Sequence, residues 1–288
     1  MMSNYRLFPN RRVEDIFLPS DFLEGSETAF YHALKLALAS KSLLTVLHVD
    51  PDASTNWQDF PGVRETLERW KLIPEGSPGN AIAKLGIDVR KIVAEGSDPV
   101  KACVRFLEVH SADLIVLSVH QRDGIMRWLG KSVAEPIAHA AKQMTLFIPK
   151  GVPGFVSSDD GSVTLKNILI PVATQPDPRP AVEAVLRLIE SLDLQGGTVT
   201  LLQVSPPNNE LPFDLPNDAA WKWNELVLNG EPAEMILQAA DQINADLIVM
   251  TSEGPHGFLD GLRGSTTERV LRKAKCPVGS LPVGSLLG

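Results

Sequence analysis

The feature that most constrains this fold is an internal repeat with constant spacing. The segment Asp113-Leu-Ile-Val-Leu117 lies 133 residues before Asp246-Leu-Ile-Val-Met250, and Ser132-Val-Ala-Glu135 lies 133 residues before Ser265-Thr-Thr-Glu268. One offset for both pairs, with no gap between them, indicates two copies of one folding unit. Both copies must therefore form the same order of strands and helices.

Each copy is predicted to alternate strands with helices. The run Leu247 to Met250 has no polar alternation, which is typical of a strand covered on both faces of a parallel sheet. Asp98-Pro99 and Glu231-Pro232 each place an acidic residue before a proline, as at the start of a helix. Because crossovers between parallel strands are right-handed, we predict an α/β fold of two tandem, doubly wound, parallel five-stranded sheets.

The chain of 288 residues is long enough for two domains of about 150 residues each. Residues 151–163 are rich in glycine, serine and aspartate and have the composition of a linker. We therefore predict one domain over 1–150, a linker over 151–163 and a second domain over 164–288. These domains are called copy one and copy two below.

The composition excludes several classes of protein. With 27 basic and 35 acidic residues the net charge is −8, and no dense basic block favours a nucleic-acid partner. Cys103 and Cys276 lie at unrelated positions without zinc spacing, and Cys103 is predicted to be a core residue. No leader-like or membrane-spanning apolar run is present, so we expect a cytoplasmic protein without a membrane partner.

A loop of copy two has the chemistry of an anion site. Ser265 and Glu268 form a capping-box pattern, so a helix is expected to begin there with its backbone N–H groups directed over the strand end. A glycine-bearing loop at a helix N-terminus holds phosphate through such groups. The loops have diverged, because Thr251, Gly254 and Gly264 correspond to Ser118, Gln121 and Lys131 in copy one.

Short motifs in both copies resemble those of the universal stress protein family, in a tandem arrangement. They are Ile-x-x-Pro in the first strand, ending at Pro19 and Pro171, a Gly-x-Pro or Gly-x-x-Pro helix entry, Ala-Asp-Leu-Ile-Val, and Lys-Cys-Pro277-Val. The resemblance covers both copies apart from the rim loops and the linker. It implies an adenine nucleotide alpha-hydrolase-like, Rossmann-like fold. It also implies pairing of the fifth strands as an intrachain pseudo-dimer, with a homodimer as a further arrangement.

The same resemblance implies a stress-response module that binds ATP or another adenine nucleotide, with Mg²⁺ as an accompanying ion. The family's ATP binders carry Gly-x₂-Gly-x₉-Gly followed by Ser or Thr. Gly254, Gly264 and Ser265 match, whereas Thr251 replaces the first glycine. The family's adenine-side aspartate is Asp21 in copy one and Ala173 in copy two. The implied nucleotide-binding residues are Pro171, Val172, Val204, Thr251, Gly254, Arg263, Gly264, Ser265 and Thr266, with Asp21 and Ser132 as secondary candidates.

Structural interpretations of these residues remain open. Ser132 and Ser265 would also stabilise a helix as caps without any ligand. Asp21 would also cap the first helix or its turn. Gly130-Lys131-Ser132 resembles the end of a Walker A loop, but five residues rather than four separate Gly124 from Gly130. Trp221 and Trp223 are predicted to be packing residues, and His48 to have a strand-end role.

Two functional hypotheses follow from the sequence. In the first, copy two binds an adenine nucleotide and its occupancy alters association with partners. In the second, the chain is a nucleotide-independent module whose divergent rim loops bind an unknown protein. No nucleophile elbow, paired carboxylates or metal-ligand spacing nominates a catalytic site, so the enzyme class is disfavoured, with slow ATP hydrolysis as its upper limit.

Overall fold

The computed structural model describes residues 13–22, 25–52, 54–119, 143–173, 175–204, 220–252 and 266–283. Within these ranges the chain forms one mixed sheet with helices on both faces. The strands are β1 Asp15–Pro19, β2 Leu43–Asp50, β3 Asp88–Glu95, β4 Leu114–Val119, β5 Met144–Pro149, β6 Asn167–Val172, β7 Gly197–Val204, β8 Trp221–Leu228, β9 Leu247–Ser252 and β10 Val278–Pro282. The helices are α1 Glu27–Ser40, α2 Val63–Arg69, α3 Asn80–Ala83, α4 Pro99–Val109, α5 Arg179–Ser191, α6 Pro232–Gln242 and α7 Thr266–Lys273.

The strand order is β3-β2-β1-β4-β5-β10-β9-β6-β7-β8, and the strands within each copy are parallel. Each half therefore has the same doubly wound order, which confirms the predicted fold class. At the centre β5 pairs with β10 antiparallel, with Leu146 opposite Gly279. The fifth strands thus pair within one chain, as predicted, and fuse the two sheets into one. This junction is called the seam.

The repeated aspartate has the same structural role in each copy. The Oδ2 atom of Asp113 accepts hydrogen bonds from the backbone N–H groups of Glu14 and Asp15, at 2.7 and 3.1 Å. The Oδ2 atom of Asp246 accepts two equivalent bonds from Lys166 and Asn167, both at 2.8 Å. A carboxylate at the start of the fourth strand therefore fixes the start of the first strand in each copy.

Two apolar layers cover the sheet, one on each face. One layer packs α1, α2 and α5 against the sheet, and the other packs α4, α6 and α7. Each layer contains residues of both copies, for example Leu34 with Val185 in the first and Phe147 with Val278 in the second. Cys103 is fully buried, as predicted for a core residue, and burial raises the pKa of its thiol to about 12.

The segment predicted as a linker packs against copy one. Val156 and Val163 form an antiparallel bridge, and the indole Nε1 of Trp70 donates to the carbonyl of Ser158 at 3.1 Å. The N–H of Phe155 donates to Nε2 of His32 at 2.9 Å. The proposed boundaries of the linker and of the two domains remain predictions. Among the helices of the described segments, none combines the length and apolarity needed to span a bilayer.

Candidate functional site

The strand order of copy two creates a switch point between β6 and β9. From β6 the chain continues to β7 on one side, whereas β9 lies on its other side. The register pairs between β6 and β9 are Ile168 with Leu247 and Leu169 with Ile248, at the start of both strands. Ligands of doubly wound sheets bind in the crevice at the carboxyl ends of strands flanking such a point. We call this region the switch-point crevice of copy two.

Four of the candidate residues lie at this edge. Pro171 and Val172 end β6, Val204 ends β7, and Thr251 is the second-to-last residue of β9. Val172 and Thr251 are buried, whereas Pro171 and Val204 are half-buried. The strands therefore bring two valines and one hydroxyl to the same edge, which suits a ligand with an apolar ring and a polar chain.

The Thr251 hydroxyl is a buried polar atom that lacks a hydrogen-bond partner within the described part of the chain. Ser118, at the equivalent position of copy one, has the same property. By contrast, the neighbouring Ser252 hydroxyl accepts a hydrogen bond from Ser280 at 3.1 Å. Buried polar groups usually have partners, so these two equivalent hydroxyls are exceptions to the rule.

Most of the predicted phosphate loop lies outside the described residues, namely Gly254, Arg263, Gly264, Ser265 and, in copy one, Ser132 with the Walker-like segment. The described chain resumes at Thr266, the first residue of α7. Glu268 in its first turn is buried and accepts a hydrogen bond from Arg272. The predicted helix is present from Thr266 onward, and its predicted cap Ser265 lies outside the described residues.

In copy one, the candidate Asp21 is held by the protein itself. Its side chain is fully buried and lies 3.3 Å from the Nζ of Lys150, which is itself only 9% exposed. Lys150 directly follows β5, so the pair joins the ends of β1 and β5 at the edge where a ligand would enter. The sequence analysis missed this partner.

An aromatic group occupies the same edge of copy one. The rings of Phe22 and His48 stack with centroids 3.9 Å apart, and Phe60 meets Phe22 edge-on at 4.8 Å. The Nδ1 of His48 lies 2.8 Å from the carbonyl of Ser20, so it donates and fixes the ring after β1. This strand-end role of His48 agrees with the prediction. Side chains of copy one therefore fill this edge.

Copy two differs at three equivalent positions. Ala173 replaces Asp21, Val283 replaces Lys150, and Gln203 replaces His48, as the offsets and the strand registers show. Copy two therefore lacks both members of the ion pair. This paired difference was visible in the sequence, because Lys150 and Val283 share the offset of 133 residues. The offset alone does not show that the two side chains meet, because 129 residues separate them.

Within the described ranges, no group of three or more His, Cys, Asp or Glu side chains is placed to hold a metal ion. The pKa of the Glu231 carboxyl is lowered by hydrogen bonds from the start of α6 and by Arg269, although the group is exposed. Glu231 caps α6 and pairs with Arg269, so both residues have structural partners.

The strand order and the covering helices define a tandem, doubly wound α/β protein. The model of the universal stress protein family matches residues 13–149 and 217–279, and the chain belongs to this family. A universal stress protein of Methanocaldococcus jannaschii is 46% identical over 52 residues, covering 18% of this chain and 31% of that protein. The chain thus matches about a third of this relative's length.

Two broader matches span more of the chain. A universal stress protein of Synechocystis is 27% identical over 143 residues, covering 43% of this chain and 90% of the relative. The crystal structure of a universal stress protein from Archaeoglobus fulgidus covers 93% of this chain and 98% of its own, with a TM-score of 0.61 and 19% identity. This structural likeness supports the tandem fold.

Proposed function

We propose that this protein is a stress-response module that binds an adenine nucleotide, ATP foremost, in the switch-point crevice of copy two. The observation that carries the proposal is the difference between the copies. Copy one fills its edge with the Asp21–Lys150 pair and the Phe22–His48 stack, whereas copy two has small or uncharged residues there. Thr251, whose buried hydroxyl lacks a partner within the described residues, lies near the end of β9 at the same edge.

Each residue of the crevice has a role in this proposal. Val172 and Val204 contact the adenine ring, because apolar side chains favour a flat aromatic ligand over water. Thr251 donates its hydroxyl to the ribose or a phosphate. The backbone N–H groups of Gly254, Gly264 and Ser265 bind the phosphates at the start of α7, aided by Arg263. Bound Mg²⁺ would neutralise phosphate charge.

Isothermal titration with ATP and Mg²⁺ tests this assignment. We expect one ATP per chain, because copy one is filled by its own side chains. Gly264→Val should abolish binding, and Lys131→Val, at the equivalent position of copy one, is the matched control and should leave it unchanged. Two ATP per chain, no binding to the intact protein, or loss in the Lys131 variant would overturn the proposal.

A second candidate function rests on the rim of copy one. Trp57 is 64% exposed, and the ammonium group of Lys91 lies 5.7 Å from its ring centroid. Exposed tryptophans next to cations are frequent anchors of protein interfaces. If this rim carries the function, Trp57→Ala abolishes the stress phenotype while Gly264→Val leaves it intact. The reverse result supports nucleotide binding as the function.

A further inference from the structure

A cavity of about 80 Å³ lies at the seam, between α1 of copy one and α5 of copy two. Its lining includes two pairs of residues that the repeat makes equivalent. Leu36 and Leu188 form the pair at an offset of 152 residues, and Leu114 and Leu247 the pair at 133. The cavity therefore straddles the pseudo-twofold axis that relates the copies, and it is remote from the switch-point crevice.

The two copies differ beside this space. Leu146 lines the cavity, and Gly279 is both its register partner across the seam and its equivalent in the repeat. Partners across an antiparallel pair face the same side of the sheet, so a leucine-sized volume is missing on one side of the axis. The side chain of Met144 covers part of the gap, since its Cε lies 3.4 Å from where a Cβ on Gly279 would be.

The polar groups of the lining are few and positively charged overall. Arg187 is the one charged side chain among the described lining residues, which also include the hydroxyl-bearing Ser40 and Ser191. Arg187 forms an ion pair with Glu183 at 3.8 Å, and about a third of its side chain is exposed. Ser40 and Ser191 end α1 and α5, so these polar groups mark one rim of an otherwise apolar wall.

We propose that this seam cavity binds a short-chain carboxylate, with its alkyl chain between α1 and α5 and its carboxylate on the guanidinium of Arg187. The volume is about half that of an engineered cavity that holds benzene, which suits a chain of about three to five carbons. An arginine fork matches the geometry of a carboxylate. So few buried methylenes imply a dissociation constant on the order of 1 mM.

Pentanoate is the probe, and 1-pentanol is its neutral comparator of equal chain length. Titration of the intact protein is followed by the ¹H–¹³C resonance of the Met144 methyl group, which lines the cavity. We expect pentanoate to shift this resonance with saturation at millimolar concentration and pentanol to bind more than tenfold more weakly. Arg187→Gln should reduce pentanoate to the affinity of pentanol.

Two variants of adjacent exposed residues test the location. Ser191→Trp should block the cavity and remove the response to both probes. Glu190→Trp adds the same ring one residue away, outside the lining, and should leave both responses intact. Equal binding of pentanoate and pentanol, no saturable shift, or an unchanged response in Ser191→Trp would overturn the proposal. Gly264→Val should respond like the unmodified protein, which separates this result from the nucleotide test.

Discussion

At the scale of single residues, Asp21 and Lys150 form a buried ion pair at the edge of copy one. Breaking such a pair by removing one partner leaves an uncompensated charge and costs about 3–5 kcal/mol. The repeat supplies the matched replacement, because copy two has alanine and valine at these positions. We therefore expect Asp21→Ala and Lys150→Val each to lower the free energy of unfolding by about 3 kcal/mol.

The double variant Asp21→Ala/Lys150→Val should lose much less than the sum of the single changes. Urea unfolding of the four proteins of this cycle gives the coupling energy directly. Additive losses would mean that the two side chains do not stabilise each other. The double variant also removes charge from the edge of copy one, so its ATP stoichiometry tests whether this pair alone excludes a ligand there.

His32 on α1 is a second residue whose environment sets a measurable property. Its Nδ1 donates to the carbonyl of Thr28 at 2.7 Å, its Nε2 accepts from Phe155, and a Cβ on Gly154 would lie 2.3 Å from the ring. Burial lowers the pKa of His32 from 6.5 to about 4. A proton on Nε2 would remove the acceptor that holds the linker segment.

The folded protein consequently resists protonation of His32, whereas the unfolded chain takes up a proton below about pH 6.5. Stability should fall as the pH drops from 6.5 to 4, by about 3 kcal/mol more than in a non-titrating His32→Gln variant. Urea unfolding of both proteins at several pH values measures this difference. Parallel pH profiles would show that His32 does not titrate differently in the folded state.

At the scale of elements, the repeated Ala-Asp-Leu-Ile-Val segment shows what the sequence could predict. Its apolar run predicted the strands β4 and β9, and the acidic residues before Pro99 and Pro232 predicted the starts of α4 and α6. These signals are local, because periodicity and capping act over a few residues. The hydrogen bonds of Asp113 and Asp246 to the first strand required the sheet order as well.

The side-chain packing at the edge of copy one was harder to predict, because it also depends on the sheet order. Phe22 and Phe60 lie in two different loops and His48 lies near the end of β2, and nothing in their spacing indicates that the rings stack. Lys150 lies 129 residues from Asp21. Long-range packing of loop residues depends on the whole sheet, so the sequence named Asp21 as a ligand candidate without its partner.

The aspartates that fix the first strands provide a test at this scale. Asp113→Ala removes an acceptor of two backbone N–H groups and should cost about 2 kcal/mol, and Asp246→Ala should cost about the same in copy two. The asparagine variants retain one oxygen and should lose less. Asp241→Ala removes an exposed carboxylate paired with Lys275 and serves as the control, with almost no loss. Urea midpoints compare all five variants.

At the scale of the whole molecule, the continuous sheet and the shared apolar layers predict that the copies unfold together. Leu34 on α1 is fully buried in the layer that also contains Val185 of copy two. Leu34→Ala should lower the free energy of unfolding by about 3 kcal/mol. Exchange of the most protected amides should then accelerate about 100-fold in both β2 and β7. If the seam did not couple the copies, mass spectrometry would show faster exchange in β2 while β7 kept its protection.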